Sequence, residues 1–328
     1  MHANYTWSGG ARAGGLGGTT FYTGRMPTLT DALTEGPIVL DGGLGTLLAA
    51  HGHDLSSSLW SAQLLLDDPA AIRRAHVEYF EAGARVAISS SYQVSYEGLD
   101  AAGHDRAQAN TLLARSVQLA REARDEAGLG AGDAWVAASI GPYGATLADG
   151  SEYAGDYGLS VAELREWHRP RMEVLAAASP DLIAVETIPS LAELEAICGL
   201  LDGLGVAAWV SVTVADGALR TGESLAEALA LAASVDEVIA VGVNCCDDTQ
   251  VLGALAAARS AGKPGVAYPN SGELWHADTR SWSGRGSEVH RLAESWIEAG
   301  AGLIGGCCRV GPEQIAQIAQ VVNAREAR

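Results

Sequence analysis

The sequence predicts a (β/α)8 TIM barrel of the α/β class, and three observations predict it. Eight short apolar runs recur along the chain, and long stretches with a helical apolar stripe lie between them. The runs are continuous rather than alternating, as strands buried on both faces of a parallel sheet must be. The 328 residues, 48% of them hydrophobic and 19% charged, are enough for one such barrel or for two small domains. A doubly wound sheet is the competing arrangement.

Residues 1–25 have no apolar period and are rich in glycine, so they read as a disordered extension, with Met26 as an alternative start of the natural chain. Residues 26–328 read as a single barrel. Its strands are Pro37–Asp41, Arg85–Ser90, Trp135–Ile140, Leu182–Glu186, Ala208–Val214, Val238–Val243, Gly265–Tyr268 and Ala301–Gly305. Each is an apolar run bounded by turn residues. The intervening helices are Pro69–Ala82, Gln108–Ala127, Val161–Ala178, Leu191–Leu204, Leu225–Ala233, Thr249–Ala261, Ser287–Ala299 and Glu313–Asn323. Several begin at a Ser, Asp or Pro signal for a helix N-terminus. Two long excursions, Tyr92–His104 and Gly141–Ser160, read as loops over the C-terminal mouth, where such barrels carry their chemistry.

Composition excludes several functions. A formal net charge of −19 repels nucleic acid and anionic membranes, and no Lys/Arg cluster counters it. No run of apolar residues is long enough to span a bilayer, and the N-terminus lacks the pattern of a secretory signal. The expectation is a soluble, cytoplasmic protein with small-molecule partners.

Five cysteines, Cys198, Cys245, Cys246, Cys307 and Cys308, form no disulfide framework. Four of them fall in two adjacent pairs, and Gly242-Val243-Asn244-Cys245 and Gly305-Gly306-Cys307-Cys308 each follow a predicted strand. Strands six and eight of a barrel are separated by one strand, so Cys245, Cys307 and Cys308 can meet on one ion. Three thiolates leave a tetrahedral zinc ion one open position, the pattern of a catalytic site. Gly305 and Gly306 allow the unusual backbone path that two adjacent ligands need. A helix starting near Pro312 would turn its positive end toward the thiolates and favour their ionised form. The alternatives are that all five are small buried apolar residues, or that a vicinal pair is redox-active. An open zinc site implies a thiol substrate held as a thiolate, and a soft electrophile such as an activated methyl group.

The motifs Asp41-Gly-Gly-Leu-Gly-Thr46, Ile88-Ser-Ser-Ser-Tyr92-Gln93, Gly141-Pro-Tyr-Gly-Ala145, Leu147-Ala-Asp-Gly-Ser-Glu-Tyr153, His168-Arg-Pro-Arg171, Glu186-Thr-Ile-Pro189, Gly242-Val-Asn-Cys245, Tyr268-Pro-Asn-Ser-Gly-Glu273 and Gly305-Gly-Cys-Cys-Arg309 together resemble the homocysteine S-methyltransferase family. The resemblance is closest to bacterial members that use S-methylmethionine or S-adenosylmethionine. It implies a Zn2+ barrel with Cys245, Cys307 and Cys308 as ligands and homocysteine methylation to methionine by a sulfonium donor. Cys246 has no ligand role in that pattern and reads as packing, as does Cys198.

By the same resemblance, Asp41 and Glu186 bind the homocysteine amino group, while Gly42 and Gly43, with Ser90 or Ser91, approach its carboxylate. The structural alternatives are a turn or helix cap for Asp41 and a cap or buried ion pair for Glu186. Aromatic faces attract a sulfonium cation, which makes Trp60, Tyr92, Tyr143 and Tyr268 donor-site residues or, alternatively, packing residues on loops. Asn270 and Glu273 read as polar contacts to the donor or as a solvated loop tip. His51, His53 and the His168-Arg-Pro-Arg171 segment carry no assigned chemistry. The rival readings are a betaine-dependent enzyme, for which a longer C-terminal arm is expected, a selenocysteine methyltransferase, and a zinc-binding thiol redox sensor without turnover. The resemblance suggests a monomer.

Overall fold

The structure, a computed structural model, describes residues 26–55, 59, 61–276 and 281–326. The glycine-rich extension read at 1–25 and the donor residue read at Trp60 lie outside the described residues.

Eight parallel strands form the sheet: β1 Ile38–Val39, β2 Val86–Ile88, β3 Trp135–Ile140, β4 Leu182–Ile188, β5 Ala208–Val212, β6 Val238–Asn244, β7 Gly265–Tyr268 and β8 Ala301–Ile304. Each pairs with its sequence neighbours, and β8 pairs with β1 through Ile38 opposite Leu303 and Val39 opposite Ile304. A bridge between Leu40 and Val86 closes the ring, with the Asp41 N–H donating to the Val86 carbonyl at 3.0 Å. The sheet is therefore a closed barrel, not the doubly wound alternative.

The helices are α1 Leu29–Leu33, α2 Leu44–Ala50, α3 Ser61–Asp67, α4 Pro69–Glu81, α5 Tyr96–Ala101, α6 Arg106–Glu126, α7 Val161–Ala177, α8 Leu191–Leu201, α9 Leu225–Ala233, α10 Val251–Ser260, α11 Val289–Ala299 and α12 Pro312–Glu326. Polar caps set their starts. Asp68 and Ser160 accept from the N–H groups of Ala71 and Glu163, and Ser190 and Ser224 from those of Glu193 and Glu227. The sequence reading missed α2, α3 and α5, which are too short for a full apolar stripe. Helix α7 continues through Pro170.

Two cores divide the apolar residues. Leu40, Val86, Ala137, Ala184, Trp209, Ala240, Val266, Tyr268 and Leu303 fill the barrel interior, with Leu29 of α1 among them at the lower end. The larger core lies between sheet and helices and includes both Cys198 and Cys246, which are buried packing residues. Strands buried on both sides explain why the sequence shows unbroken apolar runs. Among the described residues no helix is long and apolar enough to cross a membrane.

The run read as one strand to Val214 stops at Val212. Val214–Ala215 instead pairs antiparallel with Ala218–Leu219. A second antiparallel pair, Leu274–His276 with Ser281–Ser283, follows β7 in a segment to which the sequence reading assigned no element. Both pairs lie beyond the C-terminal ends of their strands, on the mouth side.

Candidate functional site

Cys245 directly follows β6, and Cys307 and Cys308 follow β8. Their three sulfurs lie within 4.8 Å of one another. The unusual backbone occurs at Cys245, with φ +48°, and at Arg309, with φ +66°, rather than at Gly305 and Gly306. Those glycines serve close approach instead. A Cβ on Gly305 would lie 2.6 Å from the Asp41 carbonyl, and one on Gly306 would strike the Val310 side chain. Three further bonds fix the loop: the Cys307 N–H donates to the Pro269 carbonyl at 2.8 Å, the Cys308 N–H to Asn270 Oδ1 at 3.1 Å and the Ser271 N–H to the Cys308 carbonyl at 3.0 Å.

Two sulfurs bound to one tetrahedral zinc ion at ~2.3 Å stand roughly 3.8 Å apart. The Cys245 and Cys308 sulfurs are 3.8 Å apart, so this donor set fits such an ion. Cys245 and Cys307 are joined as a disulfide, with Cα atoms 5.4 Å apart. This corrects the reading of the cysteines as free of disulfides. Ligands brought together for one ion are also within disulfide reach of each other. Helix α12 begins at Pro312, just after the cysteine loop, and burial pushes the Cys308 thiol up to about 11, with the Tyr153 hydroxyl opposing the shift and Glu152 adding to it.

The two carboxylates predicted to hold an ammonium group are both buried at the mouth. Asp41 accepts the Ile88 N–H through Oδ2 at 2.8 Å, while its Oδ1 has no partner. Burial raises its pKa well above the ordinary carboxylate range, and the neighbouring charge of Glu186 adds to this. Glu186 accepts from the Ser139 hydroxyl and is pushed up to about 7 by burial, against the hydrogen bonds of Ser139 and Tyr268. Its position follows from a bulge in β4, where Thr187 has φ +62° and the register shifts. Asn244, fully buried at the end of β6, secures that bulge by accepting the Thr187 N–H at 2.6 Å and donating to its hydroxyl at 2.7 Å. One amide thus ties the Glu186 strand end to the residue before Cys245.

The other predicted residues divide into two groups. Ser90 is buried with its hydroxyl unpartnered, whereas Ser91 donates to the Ser139 carbonyl at 2.8 Å. Gly43 donates its N–H to the Val310 carbonyl at 2.9 Å, and a Cβ there would lie 2.5 Å from the Cys307 carbonyl. Gly42 likewise faces Val310 and Tyr79, so both glycines seat the β1 loop against the cysteine loop. Tyr268 lies inside the barrel, with its hydroxyl 2.6 Å from Ser211 Oγ and 3.1 Å from Trp209 Nε1. Glu273 forms a forked ion pair with Arg309 at 2.8 and 3.0 Å. Tyr143 packs edge-on to Trp167 with ring centroids 5.1 Å apart. Tyr92 is half-buried, and its pKa is raised by burial first and then by Tyr153 and Glu152.

Sequence reasoning quoted Glu152, Tyr153 and Asn244 within motifs but gave them no role. Glu152 sits in a short 3-10 turn, Ser151–Tyr153, with Oε2 buried and unpartnered. A single acidic residue in a polar loop carries no sign of burial in its sequence, so only the fold identifies it.

The homocysteine S-methyltransferase family profile matches residues 38–322. The chain is 45% identical over 311 residues to homocysteine S-methyltransferase 4 of Zea mays, covering 89% of this chain and 91% of that protein. It is 40% identical over 316 residues to the selenocysteine Se-methyltransferase of Brassica oleracea var. italica, covering 90% and 91%. Among solved structures, the metallated form of the Escherichia coli homocysteine methyltransferase MmuM superposes with TM-score 0.80 at 40% identity, covering 90% of this chain and all of that one.

Proposed function

Because this chain belongs to the homocysteine S-methyltransferase family, and is a methyltransferase, we propose that it transfers a methyl group from S-methylmethionine or S-adenosylmethionine to homocysteine, giving methionine. The observation that carries this reading is the meeting of Cys245, Cys307 and Cys308 sulfurs at a barrel mouth that also holds two buried carboxylates.

Cys245, Cys307 and Cys308 would hold Zn2+, which when bound would act as a Lewis acid lowering the pKa of a substrate thiol from ~8.5 toward neutrality. The protein residues orient the reactants. Asp41, with one unpartnered oxygen, and Glu186 receive the homocysteine ammonium group, and the free Ser90 hydroxyl meets its carboxylate. The homocysteine sulfur, having lost its proton to solvent, attacks the donor methyl carbon in line. A carbon–sulfur bond forms as the donor's own bond to that carbon breaks, and the donor leaves as a neutral thioether. Charge is quenched in the step, so the protein contributes mainly proximity and orientation.

The acidic mouth supports a donor of net positive charge. Glu152, with a buried oxygen that no protein group partners, would favour a sulfonium amino acid over betaine, whose ammonium and carboxylate cancel. Of the aromatic residues read on the donor side, Tyr92 and Tyr143 remain candidates for that contact, whereas Tyr268 turns into the barrel interior. A selenol would suit the same site, and the Brassica relative supports that second acceptor.

The test is product formation by reduced, zinc-loaded protein with S-methylmethionine, S-adenosylmethionine and betaine as sole donors, and homocysteine or selenocysteine as acceptor. Methionine from a sulfonium donor, lost in Cys308→Ala, is the expected result. Turnover with betaine alone would replace the donor assignment. Zinc binding without any turnover would favour the redox-sensor reading.

A further inference from the structure

Three side chains that lie apart from the cysteine centre have no exposure to solvent at all: His168 and Arg171 of α7 and Glu193 of α8. Buried charge of this kind costs desolvation, and an apolar cluster of equal volume would serve packing as well or better. What the polar groups add is direction, and their bonds point to two loops of the mouth. Arg171 donates Nη2 to the Tyr92 carbonyl at 3.0 Å and to the Ser91 carbonyl at 3.4 Å, and Nη1 to the Gly141 carbonyl at 3.4 Å. Glu193 Oε1 accepts the Tyr143 N–H at 2.6 Å and faces His168 Nε2 at 2.8 Å.

The ring of Trp167 completes the arrangement. Tyr143 meets it edge-on, and the Arg171 guanidinium lies 4.7 Å from its centroid. Glu193 occupies the third position of α8, from which a glutamate ordinarily reaches back to the N-cap N–H. Here Ser190 caps the helix alone, and the carboxylate turns inward to the Tyr143 N–H and His168. The planar guanidinium spans carbonyls of both loops, which a lysine ammonium reaches only as a point charge.

We propose that Arg171 and the Glu193–His168 pair are positioning residues that hold the loop after β2 and the loop after β3 at the separation the methyl donor requires. The inference rests on the reading of Tyr92 and Tyr143 as donor-side residues. None of the three bonds to the cysteines, Asp41, Glu186 or Ser90, and the shorter bond of Arg171 Nη2 goes to the Tyr92 carbonyl rather than to that of Ser91, so their effect falls mainly on the donor side.

The experiment compares Arg171→Lys, Arg171→Met, Glu193→Gln and His168→Gln with the parent protein. Its readouts are KM for S-methylmethionine and homocysteine, zinc per chain, and deuterium uptake by peptides covering residues 91–95, 141–147 and 305–309. The expected result for Glu193→Gln and Arg171→Lys is a donor KM raised at least about ten-fold, a homocysteine KM changed less than about two-fold, and unchanged zinc content. Uptake should quicken in the first two segments and stay constant in the third. Equal changes in both KM values, or unchanged uptake at 91–95 and 141–147 in folded variants, would overturn the proposal. If Arg171→Met does not fold, Glu193→Gln, close in shape, decides the matter. If the parent protein methylates no acceptor, the proposed reaction fails, while the uptake pattern still decides whether these residues tether the loops.

Discussion

Asn270 Oδ1 accepts the backbone N–H of Cys308 at 3.1 Å, so a residue read as a donor contact holds the cysteine loop proposed to bind the metal. Its own N–H donates to the Cys246 carbonyl at 2.9 Å, linking the two cysteine segments. Groups that orient metal ligands typically contribute ~10–100-fold to metal affinity. Asn270→Ala is therefore expected to weaken zinc binding within that range, measured by competition with a chromophoric chelator. Unchanged zinc affinity with a raised donor KM would restore the donor-contact reading.

If Glu186 binds the homocysteine ammonium group as proposed, that side of the reaction is sensitive to pH. Its pKa of about 7 in the folded protein lies above the ordinary 4.5, chiefly through burial. The ionised form is the one that binds ammonium, so kcat/KM for homocysteine should rise as pH increases through about 7. Glu186→Gln should lower kcat/KM for homocysteine and remove that limb. For stability the sign is opposite: a raised carboxyl pKa favours the folded state below about 4.5, and this contribution is lost as pH rises through about 7. Thermal melts should show Glu186→Gln gaining stability over the parent at pH ~8 relative to pH ~5. A parallel shift at both values would contradict the assignment.

Oxidation and the proposed metal binding would compete for the same sulfurs. Cys245 and Cys307 are paired in the disulfide, which leaves Cys198, Cys246 and Cys308 free. Thiol titration of denatured protein should give five thiols after reduction and three after mild oxidation. The oxidised protein should bind no zinc until a reductant is supplied, and chelator treatment of the reduced form should abolish methyl transfer reversibly. Zinc retained by the oxidised protein would contradict the three-cysteine ligand set.

Glu152 presents one buried carboxylate oxygen without a partner, and burial raises its pKa. A donor carrying positive charge or an ammonium group would supply what that oxygen lacks. Glu152→Gln should raise the KM for S-methylmethionine by about ten-fold, corresponding to roughly 1.4 kcal/mol, with little change for homocysteine. A steady-state comparison with both substrates varied checks this.

Gly43 lies where the β1 loop meets the cysteine loop, and an added Cβ would come 2.5 Å from the Cys307 carbonyl. Gly43→Ala should destabilise the fold by about 1–3 kcal/mol, as overpacking does, and lower zinc affinity as well. Denaturant unfolding and zinc competition test the two effects separately.

The barrel was legible in the linear order of residues, because strands buried on both faces leave unbroken apolar runs and the helices between them carry capping residues. The same order also identified the three cysteines that meet and the two buried carboxylates, since each stands at the C-terminal end of an apolar run and a parallel barrel brings such ends to one mouth. Only the tertiary structure decided how the polar loop residues are used. Asn270 and Glu273 bond to the Cys308 N–H and Arg309, Tyr268 turns into the barrel, and Glu152 is partly enclosed. Arg171 and Glu193, far apart in sequence from the loops they hold, become a fully buried unit. Local periodicity reports which face of an element is buried. The partner of a polar side chain in a loop is set by long-range contacts, and those leave no period in the sequence.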